Sequence, residues 1–239
     1  MNIDLIYGGA GQTRQSWEAN IREALQYAPD ELYIYPLYIR PLTALAQRVN
    51  VQDDIRVDAY RIARDMLTAH GYIQISQRMF RSAHAPTCEG PAYCCQLDGM
   101  IGLGPCARSY TRTLHYSSEY AVEHAHVKTL IGEYARRDAR AFATVDYGFI
   151  LDEEEQRRRY LLKSILLCEG MGLPSFRQDC GIEAQEAFPQ LLELAELGLA
   201  DIDADRVRLT PRGIEYSDTI GPWLYSPQVV RLMEEYLWH

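Results

Sequence analysis

The side chains in this sequence best suited to chemistry are six cysteines, Cys88, Cys94, Cys95, Cys106, Cys168 and Cys180, with His84 just before the first. Thiolates and imidazole hold zinc and iron–sulfur clusters alike, so His84, Cys88, Cys94, Cys95 and Cys106 could assemble such a site. Their spacing speaks against it. No pair stands as Cys-x2-Cys, the tightest grouping is Cys88-x5-Cys94-Cys95, and two adjacent cysteines suit alternate faces of a strand better than one metal. Buried or incidental thiols are the better reading, reduced because no secretory signal precedes them.

The other chemical feature opens the chain: Met1-Asn-Ile-Asp-Leu-Ile-Tyr-Gly-Gly-Ala-Gly-Gln-Thr13, an apolar strand that runs into a glycine turn and then a helix. Glycines close such a turn tightly and leave amide N–H groups facing a ligand at the strand's carboxyl end. Two nucleotide motifs fail here. A P-loop needs lysine before Ser/Thr, where Gln12 stands, and a dinucleotide fingerprint needs a third glycine, where Arg14 stands. A plain structural turn accounts for the glycines as well.

The elements that position these groups follow from periodicity. Trp17, Ile21, Ala24 and Leu25 mark a helix capped by Thr13 and ended by Pro29-Asp30, and residues 31–38 read as a second strand. A β-α-β crossover with two central parallel strands is expected. Residues 53–70 predict a helix closed by Gly71, residues 72–79 a strand, 82–92 a surface loop, and the apolar run 93–103 a further strand. Residues 122–135 read as helical. From about Phe149 the pattern changes to helix, helix (183–197), two short strands, and a helix begun by Pro211, which is winged-helix order.

Net charge is −9 over 239 residues, with 47% hydrophobic residues, ordinary for one large or two modest globular domains. From Leu151 onward 9 Lys and Arg face 17 Asp and Glu, a balance of −8. Nucleic-acid binding draws on a basic face, so that class is excluded, and Arg157-Arg158-Arg159 is expected to be neutralised by Asp152–Glu155 one turn earlier. No apolar run approaches the length of a membrane span, so neither membrane insertion nor secretion is expected, and the cytoplasm is the default compartment.

Segments of the chain resemble one family in order. Asp4-Leu-Ile-Tyr-Gly-Gly-Ala-Gly-Gln-Thr13 is similar to the Asp-Leu-Ile-Tyr-Gly-Leu-Pro-Gly-Gln-Thr strand of the oxygen-independent coproporphyrinogen III oxidase family, which are radical S-adenosylmethionine (SAM) proteins. Trp17, Pro29-Asp30 and Tyr38 follow at matching spacing. Gly71-Tyr-Ile-Gln-Ile-Ser76, Gly102-Leu-Gly-Pro-Cys-Ala-Arg-Ser-Tyr110, residues 157–167 and Arg208-Leu-Thr-Pro-Arg-Gly213 resemble later segments. The resemblance implies an α/β fold: the C-terminal part of a partial (β/α)6 radical-SAM barrel with an extended sheet over residues 1–148, then a mostly helical, winged-helix-like domain over 149–239. It further implies SAM contacts at Asp4, Gly8, Tyr38 and Arg108, with no catalytic residue and no metal ligand in this chain.

In intact members the resemblance implies a [4Fe-4S] cluster on Cys-x3-Cys-x2-Cys, and SAM cleavage to a radical that abstracts hydrogen from a substrate, a tetrapyrrole in the porphyrin-making members. That cluster motif is absent from this sequence. Two departures stand out: Gly9-Ala10 replaces Leu-Pro, and Tyr93-Cys-Cys-Gln-Leu-Asp98 stands where related heme chaperones carry His-Asn-x-x-Tyr-Trp. Two functional expectations follow. The chain is the C-terminal portion of a radical SAM oxidoreductase, inactive alone and missing an N-terminal half, or it is a stand-alone ligand- or partner-binding protein derived from that family. The first predicts that the chain self-associates through the edge of the opening strand or is marginally stable.

Overall fold

A computed structural model describes residues 1–39, 55–86, 94–118, 124–145 and 147–235. β1 (Asn2–Tyr7) enters the glycine turn, α1 (Arg14–Gln26) returns, and β2 (Glu31–Pro36) lies parallel to β1 with Leu5 opposite Ile34. Thr13 caps α1 in a reciprocal box: its Oγ1 accepts the Ser16 N–H at 3.1 Å, and its own N–H donates to Ser16 Oγ at 3.0 Å. α2 (Arg56–Ala69) ends where Gly71 takes φ +83°, the left-handed turn that its lack of Cβ permits.

The single strand expected over 72–79 is a hairpin, β3 (Tyr72–Gln74) and β4 (Met79–Ser82). Ser76 Oγ accepts the backbone N–H groups of Arg78 (3.3 Å) and Met79 (3.1 Å), and this side-chain bond reverses the chain. The sheet order is β1-β2-β4-β3. β2 is central as expected, with antiparallel β4 on its far side, but among the described residues β1 pairs with β2 alone and is an edge.

One face of this sheet carries the helices. Tyr7, Leu32, Ile34 and Phe80 are buried against Trp17 and Ile21 of α1 and Ala59, Ala63 and Leu67 of α2. Each large apolar side chain removed from water contributes roughly 1.5–3 kcal/mol. The Trp17 indole N–H donates to the Ala59 carbonyl at 2.8 Å, so the polar atom of this buried ring is satisfied. The two-residue period then sends Asn2, Asp4, Ile6, Glu31, Tyr33 and Tyr35 to the opposite face.

β5 (Arg108–Tyr110), β6 (Leu114–Ser117) and β7 (Tyr147–Ile150) form a second, antiparallel sheet; α3 (His124–Arg136) lies between β6 and β7 in sequence. Residues 94–103 are a turn at 95–97 and otherwise irregular rather than the expected strand, with Met100 alone bridging to Tyr110. Asp98 is the cause: its Oδ2 accepts the Cys94 N–H at 2.6 Å while the Cys94 carbonyl accepts the Leu97 and Asp98 N–H groups. Cys94 and Cys95 therefore occupy a turn and not alternate strand faces. α4 (Glu153–Ile165) starts at Asp152, whose Oδ1 accepts the Glu155 N–H, and pairs Arg157 with Glu153 at 3.0 Å and Arg158 with Glu154.

Beyond α4, β8 (Met171–Gly172) and α5 (Leu173–Cys180) are followed by α6 (Ala184–Ala187) and α7 (Gln190–Glu196). The one helix expected over 183–197 is divided at Phe188-Pro189, where proline has no N–H to continue it. β9 (Ala200–Ile202) and β10 (Arg206–Leu209) join β8 in a third sheet of order β8-β10-β9, and α8 (Pro211–Glu215), α9 (Ser217–Trp223) and α10 (Pro227–Glu235) complete the described chain.

Contacts divide the molecule into two compact units that interleave along the sequence. The first holds Met1–Tyr38, the described part of Asn50–Pro91, and Leu162–Leu224; the second holds the described parts of Ala92–Leu161 and Tyr225–His239. No described helix is long and apolar enough to cross a membrane.

Candidate functional site

Within the first unit, the helix-free face of the β1–β4 sheet gathers polar and aromatic side chains in register. Asp4 is exposed opposite Tyr33, and Ile6 stands opposite Tyr35. Tyr33 and Tyr35, two residues apart on one strand, stack with ring centroids 6.1 Å apart and planes 10° from parallel. Burial, with the nearby Asp4 carboxylate adding to it, raises the Tyr35 phenol above its ordinary value. The guanidinium of Arg78, in the turn between β3 and β4, sits 5.8 Å from the Tyr35 ring centroid and 5.6 Å from that of Tyr38.

Just past the carboxyl end of β2, Tyr38 meets the segment after α8. Its hydroxyl donates to Asp218 Oδ2 of α9 and accepts from Arg78 Nη2 at 2.9 Å, and the same Arg78 nitrogen also bonds Asp218 Oδ1. Burial and the bond to Asp218 push the Tyr38 phenol up to about 12, against a smaller opposing effect of Arg78. Tyr7, buried nearby, is also raised, first by burial and then by the Asp218 charge. A phenol held neutral in this way is a hydrogen-bonding group rather than a base at ordinary pH.

The glycine turn is engaged within itself. The Gly8 N–H donates to Gln12 Oε1 at 2.7 Å, so it does not stand free for a ligand in this conformation. Gly8 takes φ +84°, and a Cβ there would come within 2.8 Å of Arg56 Cγ, which explains the residue without a ligand as well. Arg108 is exposed at the start of β5 in the second unit. The fold thus brings Asp4, Gly8 and Tyr38 into one unit and puts Arg108 in the other.

Tyr33, Tyr35, Arg78 and Asp218 were missed by sequence reasoning. The alternation Tyr33-x-Tyr35 beside Asp4 was a readable signal, since parallel neighbours of the same parity share a face. No local signal marks Arg78 or Asp218, which are joined across 140 residues.

Among the described residues no group of three or more His, Cys, Asp and Glu is placed to hold an ion, and Cys88 lies outside them. Burial pushes the Cys168 thiol up to about 11, which keeps it protonated and a poor ligand. Cys106 sits at φ +60° in the loop before β5.

A parallel β-α-β pair extended by a hairpin, with helices on one face and a polar, aromatic open face on the other, defines an α/β protein. Comparison with known proteins narrows the class. Residues 151–216 match the HemN C-terminal domain family. The chain is 26% identical over 238 residues to an oxygen-independent coproporphyrinogen III oxidase of Thermostichus vulcanus, covering 89% of this chain and 69% of that protein. It is 25% identical over 225 residues to the heme chaperone HemW of Bacillus subtilis (strain 168), covering 89% of this chain and 55% of that one. In fold it matches the coproporphyrinogen III oxidase HemN of Escherichia coli, a radical SAM enzyme, with a TM-score of 0.67 at 20% identity over 93% of this chain and 54% of that one. The chain therefore spans little more than half the length of two of these proteins. Over most of its length the chain is similar to these proteins, and its residues 151–216 match the HemN C-terminal domain.

Proposed function

We propose that this chain is the C-terminal portion of a radical SAM oxidoreductase resembling oxygen-independent coproporphyrinogen III oxidase, and that its task is to hold the adenosyl group of SAM against the open face of the β1–β4 sheet. The observation that carries this reading is the register of that face, where the exposed Asp4 carboxylate adjoins the stacked Tyr33 and Tyr35 rings. An adenosyl group presents ribose hydroxyls, which a carboxylate accepts, and a flat base, which aromatic walls enclose. These residues fit it. On this reading β1 and β2 are the last strands of a partial (β/α)6 barrel, and residues 149–239 are a winged-helix-like cover.

The residues divide the work. Asp4 orients the ribose, Gly8 lets the backbone pass close to Arg56, and Tyr38 closes the edge beyond β2 with a neutral hydroxyl. Arg108, the first residue of β5, enters this reading through the resemblance alone. Bound SAM supplies the group that abstracts hydrogen from a small-molecule substrate, a tetrapyrrole by kinship, and the sheet excludes water from it. The [4Fe-4S] cluster of the family does not fit this chain: the sequence has no Cys-x3-Cys-x2-Cys, and Cys94 and Cys95 share one turn. Alone, therefore, the chain binds rather than oxidises, and it acts in the cytoplasm beside a cluster-bearing N-terminal half.

One observation favours a second reading, a stand-alone binding protein derived from the family. The core of the first unit is closed on itself, with Trp17, Ile21, Leu32, Ile34, Leu67 and Phe80 all buried. Calorimetric titration of the anaerobically handled chain with SAM, with Asp4→Ala beside it, tests the main reading. Saturable binding that the variant loses is expected. No binding, either alone or on co-expression with a cluster-bearing half, would overturn it.

A further inference from the structure

Resting on the SAM reading, we propose that Arg78 and Asp218 are positioning residues for Tyr38, so that α9 of the C-terminal segment sets the edge of the adenosyl-binding face. Tyr38 lies two residues past the end of β2 with half of its surface in solvent, and no strand pairing fixes it there. Three contacts do. The hydroxyl donates to Asp218, it accepts from Arg78, and the ring lies against the Arg78 guanidinium. Arg78 and Asp218 are also bonded to each other, so the three groups close a triangle in which each side chain has two partners.

The triangle is anchored from both ends. Arg78 is held by the Ser76 turn, whose carbonyl also accepts the Gln74 side-chain amide at 3.1 Å. The next residue back, Gln77, donates from Nε2 to the Glu215 carbonyl at 2.9 Å, which brings the end of α8 against this same turn. Asp218 follows in the first turn of α9, where a carboxylate is favoured by the helix dipole. The Arg78 guanidinium also lies over Tyr35, whose ring belongs to the open face. One cation therefore links the aromatic wall beside Asp4 to the hydroxyl at the site's edge. An ion pair of this kind contributes geometric specificity that a packed apolar pair would not.

The test uses the full chain with Asp218→Asn, which keeps the shape and removes the charge, and Arg78→Lys, which keeps the charge and removes the planar fork. Tyr38 is followed by NMR of ring-labelled tyrosine, assigned with Tyr38→Phe, and SAM affinity by calorimetry. Three results are expected. In Asp218→Asn the Tyr38 phenol titrates lower than in the wild type, SAM binds about tenfold more weakly, on the scale of one misplaced hydrogen-bonding group, and adding Tyr38→Phe to Asp218→Asn weakens it no further. Folded variants with wild-type affinity, additive losses, or an unmoved Tyr38 titration would each overturn the proposal. A wild type that binds no SAM, even with a cluster-bearing half, would fell the SAM reading and this proposal with it. Wild-type binding lost in Asp4→Ala but kept in Asp218→Asn would overturn the positioning role alone.

Discussion

Glu215, the last residue of α8, is gripped by Arg61 of α2, whose Nε and Nη2 donate to the two carboxylate oxygens at 3.1 and 2.9 Å, and Arg64 adds a third bond at 2.7 Å. The Glu215 side chain retains 9% of its exposure, and these bonds hold its carboxyl below the ordinary carboxylate range. A lowered folded-state value stabilises the protein above the unfolded value of about 4.3, and that stabilisation disappears as pH falls through the folded value. Melting temperature is therefore expected to drop on acidification below about pH 4.5. Glu215→Gln is expected to cost about 2 kcal/mol at neutral pH and to flatten the acid limb. Thermal melts between neutral and acid pH check both; a variant with the wild-type acid limb contradicts the assignment.

Gly213 lies inside α8, where alanine usually gains about 1 kcal/mol of helix propensity over glycine. Here a Cβ would come within 2.0 Å of the Leu199 carbonyl oxygen. Gly213→Ala is expected to lose at least about 2 kcal/mol in urea unfolding. A stabilised variant would show that this close approach is not present in solution.

Arg159 of α4 bonds three carbonyls, Thr111 at 3.0 Å, Asp98 at 2.7 Å and Cys95 at 3.2 Å, with its guanidinium 4.3 Å from the Tyr110 ring centroid. Arg159→Lys keeps the charge but not the fork. Amides of residues 94–100 are then expected to exchange with deuterium about tenfold faster, the consequence of roughly 1.4 kcal/mol of lost local protection. Unchanged exchange would mean that the 94–98 turn stands without this bracket.

The open face of the first sheet bears Ile6 at 60% and Ile73 at 57% exposure, and β1 has a strand neighbour on one side only among the described residues. Such an edge invites pairing. Sedimentation velocity is expected to show concentration-dependent association that Ile6→Lys reduces; a wild type monomeric at all concentrations would argue against it.

How legible these features were depends on the range of the interactions behind them. The Thr13 cap, the β1-α1-β2 crossover and the Gly71 helix end rest on residues within a few positions, and the sequence states them. Asp4, expected from motif order, lies on the open face beside Tyr33, and strict alternation puts Tyr33 and Tyr35 on that same face. Boundaries were misread where one side chain decided the matter: Ser76 turned a strand into a hairpin, and Asp98 turned an apolar run into a turn. Arg61–Glu215 and Arg78–Asp218 join residues 154 and 140 positions apart, and no local pattern encodes such pairs.

The interleaving of the two units has a consequence for the chain's synthesis. The ribosome must pass the whole middle of the sequence before α9 exists, and at roughly 5–20 residues per second the strand hairpin ending at Ser82 precedes Asp218 by about ten seconds. Tyr38, Arg61, Arg64 and Arg78 spend that interval without the acids that later secure them. The nascent first sheet is thus the stage at which a chaperone, or another strand edge, can reach it.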